Sequence, residues 1–190
     1  MAIAAQRRET FEVPVGPLTC NDLDRLPDPE ESGLRFELLD GDLLMTPSPV
    51  LRHQIAVTKL IVLLHNAIPP GWMVIAAPMD WKISDFTALQ PDILIIEREI
   101  REGRYEGVPL LAVEVLSPST RHRDIGSKRR AYEDGGLPHY WVVDPDEPSL
   151  TVFRLINGRL VEQMKVTGEA PYAAVEPVSA RVAAADLIRP

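Results

Sequence analysis

The chain has 190 residues, of which 28 are acidic and 20 are basic, so its formal net charge is −8. One domain with a single core is the expected organisation at this length. The acidic balance argues against a protein that coats nucleic acid through many clustered Lys and Arg residues, although it allows a local basic patch. The lone Cys20 excludes a disulfide framework and a cysteine-built zinc site.

The sequence favours a cytoplasmic protein with no membrane partner. No apolar run approaches the ~20 residues that span a bilayer. Residues 1–12 carry two arginines without a following apolar stretch, unlike a secretory signal. We expect an N-terminal arm over residues 1–18, a main domain over residues 19–168, and an extension over residues 169–190 that packs on the same domain.

The first predicted elements are a short helix, a hairpin and a long helix. Thr19 is a suitable N-cap for a helix over residues 21–26. Residues 34–45 form two predicted strands around Asp40-Gly41, a dipeptide typical of tight hairpin turns. In residues 50–68 the apolar positions recur with helical spacing, which predicts a long helix with one buried face.

The rest of the chain alternates strands and one helix, which predicts an α/β fold with a mixed sheet flanked by helices. The predicted strands cover residues 72–76, 79–83, 90–97, 109–117, 140–144, 150–155 and 160–166, and the predicted helix runs from Ser119 or Thr120 to Asp134.

Two strongly apolar runs each contain an acid where a charge is costly. Asp92 stands near the start of residues 90–97, and Glu114 stands inside residues 109–117. Runs this apolar are typical of strands buried on both faces. A buried carboxylate costs several kcal/mol unless a cation or a hydrogen-bond donor meets it. A shared divalent cation is the simplest explanation, so we expect the two carboxylates within ~4–6 Å of one another.

The order of these acids, with their surrounding motifs, resembles the Uma-like family of the PD-(D/E)XK nuclease superfamily. The resemblance covers about residues 19–166. The residues that carry it are 36–41, His53, Pro91-Asp92, 113–120, Asp124, Lys128, Tyr132 and 140–145.

The resemblance implies a restriction-endonuclease-like fold with a divalent-metal site at one end of the sheet. Asp92 and Glu114 would hold Mg²⁺ or Mn²⁺, with Glu37 contributing from the hairpin. Such an ion can polarise a phosphoryl oxygen and activate water, as phosphodiester hydrolysis requires. The expected function is therefore a metal-dependent endonuclease acting on nucleic acid, with DNA as the expected form. A homodimer is also expected, because several proteins of this architecture are dimeric and residues 150–166 could pair across subunits.

One departure from the superfamily pattern concerns its lysine. The position two residues beyond the second acid holds Leu116, and the next lysine is Lys128 in the predicted helix. The resemblance makes Lys128 the candidate for the catalytic lysine, because its long side chain could reach back to the site. We expect its amine about 3–6 Å from the Glu114 carboxylate. The alternative is an ordinary surface lysine.

The other candidates have structural alternatives as well. Asp92 could be a strand-start cap, and Glu37 could be a solvent-facing hairpin acid. Glu114 could be a structural ion-pair partner, for example of Arg121 or Lys128. His53 could support the site from the long helix or could only pack there. Ser117 could donate to a phosphate or cap the following helix.

The densest basic segment follows the Glu114 strand and is the best candidate for contact with a phosphate backbone. Its nucleic-acid-binding candidates are Arg121, Arg123 and Arg129. A charge-rich helix can equally be a solvated face. Two further functions stay open: a catalytically inactive nuclease fold that serves as a binding or regulatory module, and a phosphodiesterase acting on RNA or a small nucleotide.

Overall fold

A computed structural model describes residues 16–26, 34–97, 103–118 and 121–189. These ranges contain four α-helices, twelve strands and a C-terminal 3-10 helix. The helices are α1 Cys20–Leu23, α2 Leu51–Ala67, α3 Arg121–Ile125 and α4 Ser127–Asp134. The strands are β1 Leu34–Leu39, β2 Asp42–Pro47, β3 Trp72–Ala76, β4 Trp81–Ser84, β5 Thr87–Leu89, β6 Ile93–Glu97, β7 Leu111–Val115, β8 His139–Asp144, β9 Ser149–Ile156, β10 Arg159–Thr167, β11 Pro171–Ala174 and β12 Ala180–Ala183, and the 3-10 helix is Ala184–Leu187.

The central sheet has six strands in the order β10-β9-β8-β7-β6-β3. Its β7 and β8 are parallel, and its other neighbours are antiparallel. Side chains on β6 and β7 alternate between the two faces, and all but the last residue of β6 are buried. The mixed α/β fold predicted from the sequence is confirmed, and the central strands are buried on both faces because each face is covered.

Each face of the central sheet has its own core. On one face, Ile93 and Val113 pack with Leu60 and Leu64 of α2. On the other, Leu94 and Ala112 pack with aromatic and aliphatic residues that include Trp81, Tyr132 and Tyr140. Asp92 is two residues from Leu94, and Glu114 and Leu116 are two and four residues from Ala112, so strand alternation assigns these positions to the second face. The Glu114 side chain points toward helix α4, where it contacts Lys128 and Tyr132, whereas Asp92, just before β6, contacts His53 of α2.

The N-terminal hairpin belongs to a second sheet of four strands in the order β2-β1-β5-β4. Its turn matches the prediction: Asp40 and Gly41 both have positive φ, 53° and 86°, the conformation that a type I′ turn requires. The sequence analysis did not predict β5, because a three-residue strand carries too little periodicity to be recognised. The sequence analysis also did not predict that the hairpin joins β4 and β5 in a sheet separate from the central one.

The connection between β7 and β8 differs from the prediction of one continuous helix. It consists of α3 and α4, separated at Gly126, whose φ and ψ are −104° and −89°. A Cβ at this position would lie 2.8 Å from the carbonyl oxygen of His122, so a residue with a side chain would crowd the break. The predicted capping residues Ser119 and Thr120 lie outside the described residues.

The C-terminal segment forms the β11–β12 hairpin and the 3-10 helix. Ala174, Val178, Val182 and Leu187 are buried in the same core as α2 and the central sheet. In the described part of the chain, no helix has the length and apolar character needed to cross a membrane.

Candidate active site

Asp92 and Glu114 belong to neighbouring strand segments at one end of the central sheet. Ile93 lies opposite Val113 in the antiparallel β6–β7 pair, so continuing this register by one residue puts Asp92 opposite Glu114. Directly opposite residues of an antiparallel pair project from the same face. The carboxylate Oδ2 of Asp92 accepts the Val115 N–H at 2.9 Å. Both acids are nearly excluded from solvent, with 5% and 3% exposure.

Lys128 joins the acids of three different elements. Its Nζ lies 2.8 Å from Oε1 of Glu37, 3.1 Å from Oε1 of Glu114 and 3.7 Å from Oδ1 of Asp124. The Glu114 distance falls inside the range expected from the sequence. We call Glu37, Asp92, Glu114 and Asp124 the carboxylate cluster. The structure therefore buries Lys128 among these acids instead of leaving it on a solvated helix face.

Helix α4, which begins after the break at Gly126, carries both Lys128 and a tyrosine that contacts Glu114. Tyr132 follows Lys128 by one helical turn and donates its hydroxyl to Oε1 of Glu114 at 2.5 Å. Its ring stacks on Trp81 with centroids 5.4 Å apart. Tyr140 donates to the carbonyl oxygen of Asp124 at 2.9 Å. Aromatic packing and these hydrogen bonds thus hold α3 and α4 against the cluster.

Asp92 is held as an anion by donors from three elements. Besides the Val115 N–H, His53 Nε2 lies 3.1 Å from its Oδ2, and Arg35 Nη1 lies 3.5 Å from its Oδ1. Burial raises the pKa of Asp92, but the hydrogen bond and charge interaction with His53, the Val115 N–H and Arg35 together hold that pKa below its ordinary value. His53 thus lies in the first turn of α2 as a direct partner of Asp92.

Glu114 is shifted in the opposite direction. Burial raises the pKa of Glu114 most strongly, Lys128 counteracts it, and the charges of Asp124, Asp92 and Glu37 raise it further. The net pKa lies well above the ordinary value of 4.5. Without a bound metal ion, these surroundings make the ionised form of Glu114 less favourable than it is in water.

We expect the metal-free protein to lose stability as the pH rises above about 4.5, and Glu114→Gln to remove this loss. The unfolded chain releases the Glu114 proton near the ordinary value of 4.5, whereas the folded chain retains it to a higher pH. Glutamine carries no charge at any pH, and Lys128 keeps Glu37 and Asp124 as partners. Thermal unfolding in EDTA at pH 5 and pH 8 measures the effect. An equal pH dependence in parent and variant would contradict it.

The cluster has the chemistry of a site for a hard divalent cation. Its donors are carboxylate oxygens, which Mg²⁺ prefers. Glu37 and Glu114 each use only Oε1 toward donors, and among the described residues nothing hydrogen bonds to either Oε2. Within those residues, no group of three or more His, Cys, Asp or Glu side chains is already arranged to hold an ion. Binding would therefore require these carboxylates to turn around Lys128.

The predicted phosphate-binding residues lie on and beside the connection between β7 and β8. Arg121 pairs with Asp144 at 2.5 Å, and Arg129 donates to the carbonyl oxygen of Leu160 and covers the Phe153 ring. Nη2 of Arg123 lies 3.5 Å from the hydroxyl of Thr46. Ser117 lies two residues beyond the end of β7, and its carbonyl oxygen accepts the Arg121 N–H.

The sequence analysis missed two residues of the site. Gln90 donates its backbone N–H to Oε1 of Glu37 at 2.7 Å and so orients that carboxylate. Arg35 reaches Asp92 from the same strand as Glu37. Arg35 and Glu37 share a strand face because they are two residues apart, and this spacing was the available signal. Nothing local to Gln90 marks it.

Comparisons with known proteins identify the type of fold. The model of the Uma2 family, described as "Putative restriction endonuclease", matches residues 20–182. A crystal structure of a "putative nuclease belonging to DUF820" from Anabaena variabilis ATCC 29413 superposes with a TM-score of 0.69 at 19% identity. The match covers 90% of this chain and 98% of that one. No curated protein matches the chain.

Proposed function

We propose that this chain, which belongs to the Uma2 family, hydrolyses phosphodiester bonds in nucleic acid with the help of Mg²⁺ or Mn²⁺, DNA being the expected substrate. The observation that carries the proposal is the burial of Glu37 and Glu114 around Lys128, with Asp92 buried beside the start of the neighbouring strand β6. The description of the structurally similar protein as a nuclease agrees with it.

Asp92 and Glu114 would hold the ion, with Glu37 as a further carboxylate. The ion would polarise a phosphoryl oxygen and lower the pKa of a bound water. Val115 and His53 fix the orientation of Asp92, since both hydrogen bond to its Oδ2. Gln90 does the same for Glu37. Such supporting contacts keep metal-binding side chains in place.

The role of Lys128 follows from its surroundings. Burial lowers the pKa of Lys128, but attraction to Glu114, Glu37 and Asp124 is stronger and raises the net pKa above the ordinary value of 10.5. The amine therefore stays protonated and is unsuited to accept a proton from water. It would instead orient Glu37 and Glu114 and stabilise negative charge at the site.

A nuclease-fold binding module is the second candidate function. The observation that favours it is the placement of the Lys128 ammonium between Glu37 and Glu114, together with Leu116 in the usual lysine position. An internal ammonium can satisfy these acids without a metal ion.

Cleavage assays distinguish the two functions. We expect the purified protein to cut plasmid or single-stranded DNA with Mg²⁺ or Mn²⁺ and to stop when EDTA is added. RNA and cyclic dinucleotides, assayed in parallel, test the alternative substrates. Asp92→Asn protein prepared in the same way controls for contaminating nuclease. Binding of DNA without cleavage under any of these metals would favour the binding module.

A further inference from the structure

Arg35 and Arg123 are both neighbours of Thr46 at the edge of the carboxylate cluster. Arg35 lies opposite Thr46 in the β1–β2 register, so the two side chains share a face. Arg123 of α3 reaches the same threonine, with its Nη2 3.5 Å from Oγ1. Arg35 also lies 3.5 Å from Oδ1 of Asp92. The arginine pair therefore adjoins Thr46 beside an acid that we assign to metal binding.

Arg35 leaves most of its hydrogen-bonding capacity unused. A guanidinium group has five N–H donors. Among the described residues, Arg35 makes one contact, at 3.5 Å, and its buried Nε has no partner. Charge-assisted N–H···O bonds are usually about 2.7–2.9 Å long. The Arg35 side chain is only 23% exposed, and a single ion pair of this length with Asp92 is too weak to compensate for the burial of its guanidinium group.

Arg104 shows how this protein satisfies a structural arginine of similar burial. Its side chain is 17% exposed and makes ion pairs of 2.7 Å with Asp24 and 2.9 Å with Asp80. The difference between Arg104 and Arg35 is therefore not a consequence of burial. It lies in the acceptors: among the described residues, Arg104 has two carboxylates within 2.9 Å, whereas Arg35 has one at 3.5 Å.

Arg123 also differs from its helix neighbours. Arg121 is paired with Asp144, and Arg129 lies 3.6 Å from Glu133. In the described part of the chain, Arg123 forms no ion pair, and its one hydrogen bond is the long contact with Thr46. Because Arg35 and Arg123 both bring positive charge to the side of Thr46, an anion bound there would be attracted by both.

We propose that Arg35 and Arg123 form a phosphate-binding site that holds the substrate phosphodiester against the carboxylate cluster. The inference rests on the proposed function and adds the residues that receive the substrate. Planar guanidinium groups match the oxygens of a phosphate in geometry and charge. A phosphate would give the Arg35 Nε an acceptor. Its attraction to the two arginines would offset its repulsion by the nearby acids. Arg35 would also supply the positive charge that is missing at position 116, where the superfamily pattern has a lysine and this chain has Leu116.

Calorimetric titration with inorganic phosphate in EDTA tests the site without depending on turnover. We expect Arg35→Gln and Arg123→Gln each to weaken phosphate binding at least about tenfold, since each variant loses charge-assisted hydrogen bonds to the anion. Arg35→Lys should bind with intermediate affinity, because it keeps the charge but loses the planar fork. The matched control Arg104→Gln should lower thermal stability more than Arg35→Gln, yet bind phosphate like the parent.

The outcomes separate this inference from the nuclease proposal. No phosphate binding by the parent, or parent-like binding by Arg35→Gln and Arg123→Gln, would overturn the phosphate site. Phosphate binding that depends on both arginines, in a parent that cleaves nothing, would support the site and contradict the nuclease. Metal-dependent cleavage that survives Arg35→Gln unchanged would contradict the site and leave the nuclease proposal intact.

Discussion

Asp92→Asn and Glu114→Gln are each expected to reduce metal-dependent phosphodiester hydrolysis by at least about 100-fold, the usual scale for losing one electrostatic group of an active site. Each change preserves side-chain shape but removes an anionic donor from the carboxylate cluster. Initial rates with Mg²⁺ and Mn²⁺ measure the loss. Calorimetry with Mn²⁺ should show weaker binding to both variants, because a neutral amide oxygen is a poorer ligand for a hard cation.

Glu133→Gln is the matched control for these two variants. Glu133 is a buried acid on the same helix as Lys128, but its partners are Arg159 and the Leu160 N–H. The variant should keep the parent rate per folded molecule, even if its unfolding temperature falls. Full activity of a clean Asp92→Asn or Glu114→Gln preparation would show that the proposed site is wrong.

Lys128→Met is expected to destabilise the metal-free protein by about 3–5 kcal/mol at neutral pH, the usual cost of removing one partner from a buried ion pair. Methionine fills most of the lysine volume but cannot compensate Glu37, Glu114 and Asp124, whose carboxylates surround the ammonium. Urea unfolding in EDTA measures the change. Turnover should also fall strongly, because two proposed metal-binding carboxylates lose the group that orients them.

Three comparisons make the Lys128 prediction specific. Arg130→Met changes an exposed cation of the same helix and should shift stability by no more than about 0.5 kcal/mol. Adding Glu37→Gln to Lys128→Met should restore part of the stability, because one uncompensated acid is removed. Mg²⁺ should stabilise Lys128→Met more than the parent, since the ion can replace the lost positive charge. A decrease of less than about 1 kcal/mol in the free energy of unfolding would show that Lys128 has only an ordinary packing role.

Local patterns were sufficient for the main elements of the fold. The hairpin turn at Asp40-Gly41 follows from two residues that tolerate positive φ. The buried strands around Asp92 and Glu114 follow from apolar runs that only a two-sided core can bury. The long helix, predicted over residues 50–68, is observed at Leu51–Ala67. These features depend on neighbouring residues, so a linear pattern is enough to indicate them.

The candidate site was partly foreseeable for the same reason. Asp92 and Glu114 stand out because a charge inside an apolar run has an evident cost. Lys128 was assigned through the family resemblance, and its proximity to Glu114 was an expectation that depended on how the helix faced the sheet. The expectations of a metal ion, a homodimer and a cytoplasmic location stay predictions.

Contacts between distant segments were decided only by the tertiary structure. Arg35 meets Asp92, 57 positions away, and Gln90 meets Glu37 across 53 positions. Neither pair has a periodic signal, because the second sheet must first fold against the central one. The helix break at Gly126 likewise depends on α3 and α4 both packing on the sheet. The sequence by itself determined which strands carry the buried acids, while long-range packing decided that Lys128 lies among Glu37, Glu114 and Asp124 and that Arg35 approaches Asp92.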